Sequence, residues 1–171
     1  VPVGYVTQME LGNSKNDNMS DAFVLSTDNS TTGVNTGFAV IESSNTNHNY
    51  SLTNWTATCS TSEVMRIADL NNDSYDDVVT FQIMNNTICI HYFDPTNLTY
   101  DPEILVNLTT DPMDLHIADL NLDGKPDIVS IHGPAQNGSV SLSLQITSSV
   151  FVEASNLPIY EWNSNQNRAN M

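Results

Sequence analysis

The sequence predicts an all-β protein made of three four-stranded antiparallel units. Three observations carry that expectation. A segment repeats internally, apolar residues come in short or alternating blocks bounded by turn residues, and no stripe of helical period runs for any length. The repeat reads RIADLNNDSYDDVVTF at 66–81 and HIADLNLDGKPDIVSI at 116–131, identical at eight of sixteen positions and 50 residues apart. A fainter copy, MELGNSKNDNMSDAFVLS, starts at Met9 and reads as carrying about three extra residues. A period of 50 to 60 suits a multi-stranded unit better than a helical hairpin.

Taken in order, the first unit offers strands at Val3 to Leu11, Ala22 to Thr27, Phe38 to Glu42 and Tyr50 to Thr58. In the second, Val64, Met65, Ile67 and Ala68 lead into an acidic loop and Val78, Val79, Phe81 and Ile83 leave it. Ile88 to Phe93 and Ile104 to Leu108 follow. The third repeats the order with Leu115 to Leu120, Ile128 to Ile131, Val140 to Ile146 and Val150 to Ala154. Between Ser139 and Ile146 the alternation is strict: Val140, Leu142, Leu144 and Ile146 fall on one face, and Ser139, Ser141, Ser143 and Gln145 on the other. Asn, Asp, Gly, Pro and Ser fill the gaps. The units span 3–58, 59–110 and 111–162 of a single domain, with a polar tail at 163–171. Leu157, Ile159, Tyr160 and Trp162 precede that tail, and read either as the last outer strand or as a strand lent to a neighbouring subunit.

Composition narrows the partners. The 171 residues suffice for one core. Twenty acids against four bases give a net charge of −16, which argues against nucleic acid because phosphate binding needs clustered Lys and Arg. Nowhere do 18 apolar residues run together, so no segment reads as a membrane-spanning helix. The chain begins at Val1 with neither Met nor an apolar leader, which reads as a processed or trimmed product.

Each clear repeat has the form D-x-N-x-D-x-x-x-D: Asp69, Asn71, Asp73 and Asp77 in one, Asp119, Asn121, Asp123 and Asp127 in the other. Side-chain oxygens at alternating positions of a tight loop can converge while the backbone curls around a hard cation, and a carbonyl from Tyr75 or Lys125 would complete the set. Calcium is preferred over magnesium, which keeps its waters and demands near-octahedral geometry. An EF-hand is excluded, because its twelfth position needs Glu between helices, and here that position is Thr80 or Ser130 between strands. A plain solvated turn is the competing reading; three carboxylates within nine residues, twice in matching frames, weigh against it. Gly124 stands where the second loop bends, and Ser74 must adopt the same backbone in the first. The copy near Met9 is the weakest: Glu10, Asp17 and Asp21 are available, but Lys15 intrudes.

IADLNNDSYDDVV and IADLNLDGKPDIV resemble the FG-GAP/VCBS repeat, the calcium-loop blade unit of integrin-type β-propellers. The resemblance implies three blades, each with its loop joining the first and second strands on one rim of a propeller. It implies two Ca²⁺ ions, one held by Asp69, Asn71, Asp73, the Tyr75 carbonyl and Asp77, the other by Asp119, Asn121, Asp123, the Lys125 carbonyl and Asp127. A third ion would have the poorer loop. Closed propellers use roughly four to eight blades, so three form an incomplete array, or one completed by copies of the chain or by further blades.

Nine N-x-S/T sequons occur, at Asn18, Asn29, Asn49, Asn54, Asn72, Asn85, Asn97, Asn107 and Asn137. Multiplying the Asn count by the Ser and Thr fraction predicts about 4–5. The sequons are therefore read as glycan acceptors, with Asn72, inside an acidic loop, the least suited. Cys59 and Cys89 form either one bridge linking adjacent blades or two buried thiols. Glycans, calcium and a disulfide together place the chain outside the cell or on its surface.

No catalytic residue is assigned. His48, His91, His116 and His132 lack metal-ligand spacing, and there is neither a Cys-x-x-Cys, a nucleophile elbow nor a phosphate loop. Asp76–Asp77 and Asp111–Asp114 are poorly placed for a glycosidase pair, and Trp55 and Trp162 read as core before sugar platforms. The reading is a structural or adhesive module, a self-assembling subunit of a surface structure or fibre. The alternatives are a trimmed ligand-binding receptor ectodomain and the propeller part of a carbohydrate-active protein.

Overall fold

The structure, a computed structural model, describes residues 4–17, 19–28, 35–43, 50–53, 56–59, 62–82, 86–109, 111–132, 139–147 and 150–158, and fifteen strands form among these described residues. The first sheet runs β1 (Gly4–Gly12), β2 (Asp21–Asp28), β3 (Asn35–Ser43) and β4 (Tyr50–Leu52), with β5 (Thr56–Ala57) also on β3. The second runs β6 (Ser62–Ala68), β7 (Asp77–Gln82), β8 (Thr87–His91) and β11 (Ile104–Asn107). Between β8 and β11, β9 (Phe93–Asp94) and β10 (Thr99–Tyr100) make a small ribbon. The third sheet runs β12 (Pro112–Ala118), β13 (Asp127–His132), β14 (Ser139–Thr147) and β15 (Val150–Pro158). Every pairing is antiparallel. The all-β class expected from the sequence is what forms.

Two expected strands differ. Tyr50 to Thr58 is interrupted at Thr53, which stays opposite Val40 and donates its N–H to the Val40 carbonyl (2.9 Å), but whose Oγ1 accepts the Val40 N–H (2.8 Å). Ile88 to Phe93 ends at His91, and Phe93 joins the ribbon instead. Asp94 caps that turn by accepting the N–H groups of Thr96 (2.8 Å) and Asn97 (3.3 Å).

The sheets stack face to face with the second in the middle. Alternation on β7 explains how one strand serves two interfaces. Val79 and Phe81 join Ile88, Ile90, Leu115 and Ile128 against the third sheet, while Val78 joins Met65, Phe23, Leu25, Phe38 and Val40 against the first. β8 is buried at every position. The three first strands lie side by side, β1 and β12 each against β6. Their free edges are bridged by side chains. Gln8 Oε1 accepts the Met65 N–H (2.7 Å) and its Nε2 donates to the Met65 carbonyl (3.1 Å). Arg66 reaches the other way, to the Leu115 carbonyl (2.8 Å) and Asp114 (2.5 Å), and also holds Glu10 (3.2 Å). Backbone groups that no strand pairs are thereby satisfied. The result is an open, propeller-like array of three blades.

Candidate cation loops

Residues 69–77 join β6 to β7, and 119–127 join β12 to β13, so both acidic loops connect the first and second strands of their blades. Their internal bonding matches position for position. Asp69 accepts the N–H groups of Asp73 (3.0 Å) and Ser74 (2.8 Å), and Asp119 those of Asp123 (3.1 Å) and Gly124 (2.9 Å). Asn71 and Asn121 each accept the N–H two residues on, at 3.0 and 2.9 Å. Asp73 accepts from Tyr75 and Asp123 from Lys125, both at 2.9 Å. These bonds fold the chain through left-handed conformations at Asn72 (φ 60°) and Ser74 (φ 73°), and at Leu122 (φ 60°) and Gly124 (φ 82°). Ser74 does take the backbone of Gly124.

The last aspartate closes each loop. Asp77 Oδ2 accepts the Leu70 N–H (2.8 Å) and Oδ1 the Phe93 N–H (2.9 Å), while Asp127 Oδ2 accepts the Leu120 N–H (3.1 Å). The same seven-residue clamp identifies the first blade's loop. Asp21 Oδ2 accepts from both the backbone N–H and the hydroxyl of Ser14, at 2.9 and 2.6 Å, and Oδ1 accepts the Ser43 N–H (2.8 Å). Asn13, Lys15 and Asp17 then occupy the places of Asp69, Asn71 and Asp73. Asn13 Oδ1 accepts the Asp17 N–H (3.4 Å), Asp17 accepts the Met19 N–H (3.0 Å), and Asn16 has φ 52°. The expected three-residue insertion is absent. Glu10 is not a loop residue: it lies on β1, outside the loop, facing Arg66. Lys15 brings an ammonium to the third position, 2.7 Å from Glu42.

The electrostatics follow from burial. Burial pushes the Asp77 carboxyl up to about 7; the Phe93 and Leu70 N–H groups pull against this, and the charges of Asp73 and Asp69 add to it. Burial likewise raises Asp21, but the bonds from Ser14 and Ser43 outweigh it and hold the carboxyl below its ordinary value. Exposed Asp123 is lowered, chiefly by the Lys125 N–H and then by the Lys125 charge. The Asp and Asn side chains of both loops offer oxygens, the set a hard cation takes, on a tightly curled backbone, while the Lys125 ammonium lies 3.5 Å from Asp123 in the second loop. Among the described residues no three His, Cys, Asp or Glu side chains converge as a ligating group. In each loop a backbone carbonyl and an amide oxygen would therefore have to share coordination with the carboxylates.

The loops are joined to one another. Asp76 Oδ2 accepts the Asn13 N–H (2.5 Å) while its own N–H donates to the Asn13 carbonyl (3.1 Å), and Asn72 Nδ2 donates to the Gly124 carbonyl (3.1 Å). Neither contact was legible in the sequence, since both cross from blade to blade. The pairing of Asp76 with Asp77 was the one available signal.

Cys59 and Cys89 are bridged, with Cα atoms 6.1 Å apart. The bond ties the linker between the first two sheets to β8 beside a buried polar row: Thr58 and Thr80 hydroxyls at 2.6 Å, and His91 Nε2 at 3.0 Å from Thr58. Of the sequons, Asn97 lies exposed in the ribbon turn and Asn107 exposed at the end of β11. Asn18, Asn29, Asn49, Asn54, Asn85 and Asn137 lie outside the described residues, as do His48, Trp55 and Trp162. His91 and His132 are buried and bond backbone carbonyls through Nδ1, whereas His116 is exposed.

Stacked meanders with matching acidic loops between first and second strands define a propeller-type β module. The family model described as an FG-GAP-like repeat matches residues 69–130. That segment, from the first aspartate of the second blade's loop into β13, is an FG-GAP-type repeat. No curated protein and no solved structure matches the chain.

Proposed function

We propose that this chain is an extracellular, calcium-stabilised, N-glycosylated structural or adhesive module that assembles with copies of itself. The observation that carries the reading is the pair of equivalent loops, each curled by the same bonds and joined to its neighbour along one rim. Ca²⁺ bound there would supply positive charge among carboxylates that now face one another; Asp69, Asn71, Asp73, Tyr75 and Asp77, and Asp119, Asn121, Asp123, Lys125 and Asp127, are the residues to hold it. What the chain itself does is keep those oxygens on short, hydrogen-bonded turns and transmit loop rigidity through Asn72 and Asp76. The disulfide and the exposed sequons Asn97 and Asn107 support an oxidising, glycosylating compartment.

Calcium titration of the chelated protein tests the reading. At 100 times the dissociation constant, one site adds about 2.7 kcal/mol, so the melting temperature should rise by several degrees with calcium, and by less in Asp123→Ala. An unchanged melt overturns the calcium assignment. Light scattering that finds only monomers overturns the assembly, and an unshifted mass after glycosidase treatment of secreted protein overturns the glycans.

A further inference from the structure

The two outer faces of the stack have the same make-up as the faces buried inside it. Cross-strand pairs fix the equivalence. Met65 pairs with Thr80 and Ile67 with Val78 on the face of the second sheet that meets the first. Met9 pairs with Val24 and Leu11 with Ala22 on the corresponding face of the first sheet, which no sheet covers among the described residues. Met9 and Leu11 are 61% and 67% exposed there, whereas Met65 is fully buried. The cross-strand rows through Ala22 and Val24 carry no charged residue.

At the other end the third sheet presents the opposite kind of face. Val129 and Ile131 stand where Val79 and Phe81 meet the third sheet, and where Phe23 and Leu25 meet the second. Ile131 is 38% exposed. Register places Leu142 beside Val129 and Val140 beside Ile131 on β14. His116 pairs with Val129 as Arg66 pairs with Val79, so it stands where Arg66 donates across the inner interface.

We propose that a second copy docks its first sheet, through Met9, Leu11, Ala22 and Val24, on the third sheet of its neighbour at Val129 and Ile131. The proposal rests on the self-assembly above and names its faces. Continuity with the established interfaces selects the occupant: both internal contacts join a face of the first kind to a face of the second, and a second copy presents both. Such a contact is heterologous, so it closes a ring or grows a filament. The first sheet's docking rows carry no charge, and the one carboxylate in the facing rows, Asp114 beside Ile131, is held by Arg66.

Met9→Cys and Ile131→Cys proteins, each checked for a wild-type melt, are mixed and treated with a short bismaleimide, which leaves the Cys59–Cys89 bridge untouched. Leu11→Cys with Val129→Cys is the second pair, should either of the first fail to fold. A covalent dimer in the mixture, absent from either protein alone, is the expected result, together with at least a tenfold weaker association of Val24→Asp at unchanged melting temperature. Wild-type association without a mixed cross-link, or with Met9→Cys linking to itself, overturns these faces while leaving self-assembly standing. A wild-type chain that stays monomeric overturns both, and makes a further blade of a longer chain the occupant.

Discussion

Ser74 and Gly124 occupy the same left-handed bend, yet only one of them has the residue that bend prefers. A Cβ at Gly124 would meet nothing within 4 Å, so the cost of a side chain there is purely the backbone's, at φ 82°. Left-handed conformations cost a non-glycine residue roughly 1 kcal/mol. Gly124→Ala should therefore lower stability by about 1 kcal/mol in denaturant unfolding, and Ser74→Gly should raise it by a similar amount. Equal and opposite shifts would show the two loops to be one structure in two sequences. Leu122, exposed at φ 60°, stands in the same region where the first loop has Asn72, and Leu122→Asn should also stabilise, since Asn tolerates this region.

The loops were legible because their spacing, D-x-N-x-D, is itself the bonding pattern: each side chain reaches an N–H two, four or five residues on. The clamping by Asp77 and Asp21 was not, because its partners lie far along the chain, Ser43 at the end of β3 and Phe93 in β9, just past the end of β8. Lacking that clue, Asp21 could not be recognised as the equivalent of Asp77, and Asn13 and Lys15 disguised the rest of the loop.

Elements show the same division. β7 announces itself as a short apolar block and β14 by alternation, whereas the β9–β10 ribbon has two residues per strand and no period to read. Its role appears only in packing: Tyr100 stands 4.9 Å from Phe38 and 5.2 Å from Phe93, ring to ring, filling the gap between the first two sheets. β1 packs tightly on the second blade at Gly12, where an added Cβ would lie 2.5 Å from Ile67 Cγ2 and 2.7 Å from Asp76 Oδ2. Overpacking of this kind costs roughly 1–3 kcal/mol. Gly12→Ala should lose that much, and more in the unfolding of the first blade than of the third, as amide exchange would report.

Within β8, His91 sits between Thr58 and the Asp101 carbonyl, and burial lowers its pKa despite the opposing pull of that carbonyl and of Glu103. A base with a folded pKa below its unfolded value, about 6.5, contributes stability that is full above that pH. The contribution is lost as pH falls below it, because the unfolded chain takes the proton first. Asp77 has the opposite sign, its raised carboxyl favouring the folded state at lower pH. Comparison with His91→Gln separates the two: between pH 7 and pH 5 the wild type should lose stability relative to the variant. A constant difference across that range would mean that His91 does not titrate with unfolding.

At the scale of the molecule, charge sets a limit that no single contact relieves. Of the four basic residues, the three within the described chain are engaged: Lys15 with Glu42, Arg66 with Glu10 and Asp114, and Lys125 with Asp123. The remaining carboxylates therefore act on one another, with most of a net −16 unscreened by neighbours. Monovalent salt shortens the range of that repulsion from about 30 Å at 0.01 M to about 3 Å at 1 M. It should then raise the melting temperature, the opposite of what chains held by surface ion pairs do. Calcium in the rim loops would cancel four charges with two ions, so the salt effect should shrink once calcium is present. Melting curves from 0.01 to 1 M NaCl, with chelator and with calcium, check both statements. A melting temperature that falls with salt would show that the few ion pairs across β1, β6 and β12 outweigh the repulsion, and that Arg66, not the acidic rim, governs the cohesion of the three blades.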